Sequence, residues 1–177
     1  MLFRSAEICN QYLPPGVVNL VSGLGVPAGD AIARHPLVKR IGFTGSVRTG
    51  LAIQRAAAEV CVKHVTLELG GKNPMIVCAD ADLEAAATGA VAGMNFAWAG
   101  QSCGSTSRIL IHESIYDRMV DLIKVKVEAI KVGDPLDPKA EMGPVNSEAQ
   151  FRRVNSYIAA GRDDGARLIT GGGRPPG

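Results

Sequence analysis

Short apolar runs alternate with stretches whose charges recur at helical spacing along most of the chain. Residues 5–12 predict a helix, and V-V-N-L-V (17–21) predicts a short buried strand. The turn S-G-L-G-V-P-A-G-D follows, with Pro27 placed to open a helix through Arg34. V-K-R-I-G-F (38–43) predicts a strand, 47–60 a helix, and H-V-T-L-E (64–68) a third strand ended by Gly70 and Gly71. N-P-M-I-V-C (73–78) predicts a fourth, followed by a helix from Asp82 to about Ala97 and a strand at R-I-L-I-H (108–112). Ser114 with Asp117 approximates a capping box for an amphipathic helix reaching Lys131, and Ser147 with Gln150 opens another. One more strand is expected before G-G-G-R-P-P-G. Repeated strand–helix alternation with apolar strands specifies the α/β class, with parallel sheets and helices on both faces. A helix with no strand before it opens the chain, so the pattern reads as a piece of a longer α/β protein.

Composition narrows the partners. Of the 177 residues, 46% are hydrophobic, enough for a sizeable core, and a formal net charge of +2 argues against nucleic acid. Arg4 and Glu7 stand where a secretory signal needs an apolar run. Cys9, Cys61, Cys78 and Cys103 show no C-x-x-C spacing, and His35, His64 and His112 are scattered. That predicts no metal site and no disulfide framework, and suits a reducing cytoplasm. The stretch from Ala85 to Ser107 lacks charge and contains Gly89-x-x-x-Gly93, but Asn95, Gln101, Ser102, Ser105, Thr106 and Ser107 interrupt it. Its apolar part is too short to span a bilayer, which needs roughly 20 residues, so it predicts a close-packed core helix and no membrane partner.

Three places carry candidate chemistry. F-A-W-A-G-Q-S-C-G-S-T-S-R (96–108) surrounds Cys103 with very small side chains. Either the thiol fills a tight loop, or space has been cleared for a reactant. Gly23-x-Gly25-x-x-x-Gly29 lies near the dinucleotide fingerprint without matching it. Thr44-Gly45-Ser46 has the same strand-to-helix setting: Gly45 permits close backbone approach, and the positive end of the 47–60 helix would face an anion. An ordinary tight turn is the alternative. Glu68 closes an otherwise apolar strand at the end where α/β folds gather ligands. Burial there would favour a general base, and an ion pair with Lys72 or Lys63 is the competing reading.

V-T-L-E-L-G-G-K-N-P (65–74) and G-Q-S-C-G-S-T-S-R (100–108) resemble the two active-site signatures of the NAD(P)-dependent aldehyde dehydrogenase superfamily. L-P-P-G-V-V-N-L-V-S-G (13–23), H-P-L-V-K-R-I-G-F-T-G-S (35–46) and M-G-P-V (142–145) are similar to further family segments in the same order. The resemblance implies a partial aldehyde dehydrogenase fold. Residues 1–68 would be the later part of the Rossmann-like dinucleotide-binding domain, and 69–177 the first part of the catalytic domain. It makes Cys103 the nucleophile and Glu68 the general base. Gly45 and Ser46 would meet the pyrophosphate of NAD or NADP, Gly25 and Val26 would lie near adenine, and Leu69 and Gly70 near nicotinamide. Gln150 and Arg153 resemble a segment that reaches the nicotinamide end. Ser105 departs from the family's usual smaller residue. Cys9, Cys61 and Cys78 match no family function and are expected to be structural.

The implied reaction is oxidation of an aldehyde to a carboxylic acid through a cysteine thiohemiacetal and thioester, followed by hydrolysis. Gly104, Ser102 and Ser105 would be small so that aldehyde and nicotinamide reach Cys103 from opposite sides. The oxyanion would be held by the Cys103 N–H and by an asparagine that the family carries further upstream. A homo-oligomer, dimer or tetramer, is implied for the full-length protein. Transfer of the thioester to coenzyme A is one alternative, disfavoured by Glu68. A catalytically silent fragment or binding module is the other, and the chain by itself is expected to be inactive. Phe96 and Trp98 either line a substrate tunnel or pack in the core.

Overall fold

The computed structural model describes residues 2–174, which divide into two compact units between Gly70 and Gly71. Each is built on a parallel strand pair with a helical crossover, the α/β architecture expected.

In the first unit, helix α1 (Leu2–Tyr12) leads into a turn at Pro14, and a π-helical turn at Gly25–Gly29 runs directly into α2 (Asp30–Arg34). Strand β1 (Arg40–Gly45), helix α3 (Val47–Ala58) and strand β2 (His64–Leu69) follow. β1 and β2 pair in parallel from Arg40 opposite His64 to Gly45 opposite Leu69. Ser46 starts α3 because its hydroxyl accepts from the Thr49 N–H at 3.2 Å. Buried Gly50 lets the helix lie against the sheet: a Cβ there would stand 3.1 Å from Leu69 Cδ2 and 3.3 Å from Leu67 Cδ1. Lys63 donates its ammonium to the carbonyls of Ala33 (2.8 Å) and His35 (2.6 Å), tying the end of α2 to the start of β2.

Residues 17–21 form no strand, contrary to the pattern-based expectation. A strand exists only where a neighbour takes its N–H and C=O groups. Here Val17 donates back to Pro14 O, Asn19 donates to Gly16 O, and Val17 and Val21 remain largely exposed. The Pro-Pro-Gly turn, with Gly16 at φ +87°, organises this segment locally.

The second unit pairs β3 (Pro74–Val77) with β4 (Arg108–Ile111), and α4 (Leu83–Gly93) makes the crossover. Helix α5 (Tyr116–Glu128) packs beside α4. Val77, Ala87, Ala90, Ile115 and Met119 make the core, and Met119 is wholly inaccessible. The opposite strand face stays open, with Ile76 70% exposed. Asp82 caps α4 by accepting from Ala85 N–H. This helix ends at Gly93, short of the expected 97, because Asn95 turns left-handed (φ 56°) and a 3₁₀ turn at Phe96–Trp98 follows. Gly93 is where α4 meets the chain entering β4: Thr106 N–H donates to Gly93 O at 2.9 Å. A Cβ on Gly93 would lie 2.2 Å from Thr106 Oγ1. Gly93→Ala is therefore expected to destabilise the full-length protein by about 1–3 kcal/mol, read as a lowered denaturant midpoint at constant slope.

Ser114 does not cap the next helix. His112 accepts from the Ser114 N–H instead, closing a 3₁₀ turn (Glu113–Ile115) before α5 begins at Tyr116. Ser147 does cap α6 (Glu148–Asp163), its hydroxyl taking the Gln150 N–H at 3.2 Å. The expected last strand before residue 171 is irregular. Thr170 donates there to Glu128, and this bond, with Lys124, holds the Glu128 carboxyl below its usual range. Among the described residues no helix is long and apolar enough to cross a membrane.

Candidate active site

In the first unit, parallel register brings two of the expected features together. Thr44 lies opposite Glu68 and Gly45 opposite Leu69, so the T-G-S turn and the carboxylate share the C-terminal edge of one strand pair. Ser46 uses its hydroxyl for the Thr49 cap, while the N–H groups of Val47 and Arg48 open the helix with no intrahelical acceptor. The Phe43 ring packs over Gly45, 2.5 Å from where a Cβ would stand. Beside this turn a cavity of about 570 Å³ runs between the π-helical turn and α3, lined by Gly25, Val26, Pro27, Thr49, Ala52 and Ile53 among others. Its walls are largely aliphatic, and Gly25 presents no side chain, so a flat heteroaromatic ring can enter. The 23–29 glycine segment thus forms the wall of a slot, and the T-G-S turn lies at the helix end.

Glu68 is exposed within this unit, so the burial that would favour a general base is not met there. Strand alternation is the reason: Val65, Leu67 and Leu69 face the helix, so Glu68 points to the other side of the pair. The competing ion pair with Lys63 does not form either. Lys63 is engaged with backbone carbonyls of the same unit.

In the second unit Cys103 is exposed on the loop between α4 and β4. The loop is held tightly. Asn95, Ala99 and Gly100 all have positive φ (56°, 53° and 70°), which coils the chain around the 3₁₀ turn. Ser105 N–H donates to Ser102 O at 3.3 Å, and Gly104 N–H donates to Ser102 Oγ at 3.1 Å, closing a turn with Cys103 at its corner. The N–H groups of Thr106, Ser107 and Arg108 also have acceptors. Cys103 is the one residue from 103 to 108 whose N–H has no acceptor among the described residues.

The small residues have separate tasks. Ser105 is only 3% exposed, and its hydroxyl donates to Met94 O at 3.0 Å while Asn95 Nδ2 lies 3.5 Å away. Ser105 is thus small in order to fit under the end of α4, which corrects the reading that it clears a path to the thiol. Ser102 builds the turn. Of the three, Gly104 alone remains for access. Asn73 was missed as an individual residue: its side-chain amide donates to Cys103 O and Ser105 O. Its place five residues after Glu68, just before a proline-headed strand, was the available signal. Gln150 and Arg153 are not brought to the loop by any hydrogen bond among the described residues, and Gln150 N–H serves the α6 cap. Trp98 is 65% exposed, so it is not a core residue of this unit, and Phe96 is half-buried. Cys78 is exposed too, which removes a core-packing role within the unit. No cluster of three or more His, Cys, Asp or Glu side chains suited to a metal occurs among the described residues.

The family model described as "Aldehyde dehydrogenase family" matches residues 1–177. Aldehyde dehydrogenase tropH of Talaromyces stipitatus is 46% identical over 171 residues, covering 96% of this chain and 33% of that protein. The peroxisomal aminoaldehyde dehydrogenase 2 of Pisum sativum is 45% identical over 170 residues, with 96% and 33% covered. Among solved structures, HpcC from Thermus thermophilus superposes with a TM-score of 0.94 at 43% identity, over 98% of this chain and 34% of that one. Betaine aldehyde dehydrogenase from Staphylococcus aureus, in complex with NAD+, gives 0.93 at 39% identity, with 99% and 35% covered. The chain therefore spans about a third of the length of the curated relatives it matches. With the family model matching the whole of this chain and the fold shared at this identity, the chain belongs to the aldehyde dehydrogenase family.

Proposed function

We propose that the full-length protein oxidises an aldehyde to a carboxylic acid with NAD+ or NADP+, with Cys103 as nucleophile and Glu68 as general base. The observation that carries this reading is the Cys103 loop: an exposed thiol at the corner of a fixed turn, whose own N–H is left without a protein acceptor among the described residues. A thiolate there adds to the carbonyl carbon, and the adjacent N–H is placed to take the oxygen as it becomes an anion. Cys103 then holds the acyl group as a thioester. Glu68 accepts a proton from water, and the hydroxide released attacks the thioester to give the acid and free the sulfur.

The dinucleotide supplies the hydride acceptor when bound. The slot beside α3 fits an adenine ring, with Gly25 and Val26 in its wall, and Gly45 and Ser46 lie at the start of α3, where a pyrophosphate is favoured. Leu69 and Gly70 follow Glu68 at the same strand edge and remain the residues proposed for the nicotinamide side. Gln150 and Arg153 are kept as residues that would reach the same end of the cofactor. A reducing compartment such as the cytoplasm is the proposed setting. Relatives are named for the peroxisome and the chloroplast.

The test is direct. Full-length protein is assayed for reduced dinucleotide formed from NAD+ and from NADP+ with a panel of small aldehydes, with and without coenzyme A. Turnover to free acid without coenzyme A supports hydrolysis; turnover only with it favours acyl transfer. Filling the slot with Ala52→Phe is expected to raise the dinucleotide Kd by about 10-fold or more, while Cys103 still reacts with iodoacetamide at its original rate. Equal loss of both would place the slot outside cofactor binding.

A further inference from the structure

We infer that Asn73 is a positioning residue for the nucleophile: its side-chain amide holds the Cys103 peptide so that sulfur and oxyanion N–H are presented together. The inference rests on the reading of Cys103 as the nucleophile. Asn73 precedes β3, and its backbone is fixed there because its carbonyl accepts from Arg108 N–H at 3.3 Å, next to the Pro74–Arg108 register pair. Pro74 keeps Asn73 out of the helical region, leaving only side-chain torsions free. From that anchor Nδ2 donates to Cys103 O at 2.5 Å and to Ser105 O at 3.2 Å.

An amide NH₂ has two hydrogens, and here each has one carbonyl. The two carbonyls bracket Gly104. Pulling both toward one nitrogen keeps the turn closed and ties the plane of the 103–104 peptide to Asn73 at the start of β3. Because that peptide is trans, its Gly104 N–H points the opposite way, where Ser102 Oγ receives it at 3.1 Å. The peptide following Cys103 is thus fixed from both sides. Rotation on the carbonyl side of Cys103 is thereby restricted, with no hydrogen bond to its sulfur among the described residues. The Asn73 side chain does so from outside the loop, and from the other signature motif. A hydroxyl or carboxylate in its place cannot serve both carbonyls with N–H donors.

The experiment compares Asn73→Ala and Asn73→Asp with wild type in the full-length enzyme. Asp matches Asn in shape but offers oxygen to two carbonyl oxygens. A donor role makes Asn73→Asp at least as damaging as Asn73→Ala; a space-filling role leaves Asn73→Asp near wild type. The expected result is a fall in kcat of about 10- to 100-fold in both, as for a misplacement of about 1 Å, with dinucleotide Kd within about twofold. Iodoacetamide alkylation of Cys103 should change in rate and pH profile, and amide exchange of residues 103–106 should quicken. Asn73→Asp with kcat and alkylation within about twofold of wild type overturns the inference. So does a loss confined to thermal stability. If a variant does not fold at 25 °C, dinucleotide binding at 10 °C identifies it, and Asn73→Ser, which keeps one donor, is expected to fall between wild type and Asn73→Ala. A Cys103→Ser control separates the two ideas. If that variant stays active the nucleophile is misassigned, whereas a dead Cys103→Ser beside a fully active Asn73→Asp sinks only the role of Asn73.

Discussion

Cys103→Ser in the full-length enzyme is expected to lower aldehyde oxidation by at least about 10³-fold, while the dinucleotide Kd stays within about twofold. A neutral hydroxyl is a far weaker nucleophile than a thiolate near neutral pH, and the substitution leaves the turn intact. The turn's bonds come from Ser102, Gly104, Ser105 and Asn73, none of them from the sulfur. The controls are the other three cysteines. Cys78 is exposed and so open to reagents, while Cys61 is half-buried with its sulfur 3.9 Å from the Lys39 ammonium. Cys9→Ala, Cys61→Ala and Cys78→Ala should each keep kcat within about twofold. Mass mapping of an enzyme inactivated by limiting iodoacetamide should find the label on Cys103. Inactivation that tracks Cys61 or Cys78, with Cys103 unlabelled, would defeat the assignment.

How far the residue pattern carries can be judged from particular segments. The strands expected at 38–43, 64–68, 73–78 and 108–112 form at 40–45, 64–69, 74–77 and 108–111, and the expected helices form with Ser46 and Asp82 capping α3 and α4 and Ser147 capping α6. Residues 17–21 have the same apolar character without becoming a strand. Pattern measures the wish to be buried, whereas a strand also requires a partner edge, which is a property of the whole assembly. Helix ends slipped for a local reason: Asn95 takes a left-handed conformation that hydrophobic periodicity does not register. At the site, residue types were legible and their employment was not. Ser105 looked like cleared space and is a buried hydroxyl bonded to Met94 O. Asn73 looked like one letter of a motif and is the only side chain donating to the Cys103 carbonyl among the described residues.

Glu68→Gln should separate the two halves of the reaction. An amide keeps the size of the carboxylate and its place opposite Thr44 in the strand register, so the strand pair is undisturbed. It has no basic oxygen able to take a proton from water at neutral pH. Addition of Cys103 to the aldehyde needs no such base if the thiol is already ionised, so the acyl group should still form on the sulfur. Release then depends on unassisted water. Rapid mixing is expected to show a burst of reduced dinucleotide approaching one per active site, followed by steady turnover slowed by about 10²–10⁴-fold. Denatured enzyme quenched after the burst should carry the acyl mass on the peptide containing Cys103. Imidazole or a similar small external base should restore part of the turnover in the variant. Loss of the burst itself would assign Glu68 to activation of the thiol. Steady turnover at the wild-type rate would remove it from the mechanism, since a side chain that cannot accept the proton cannot be the base.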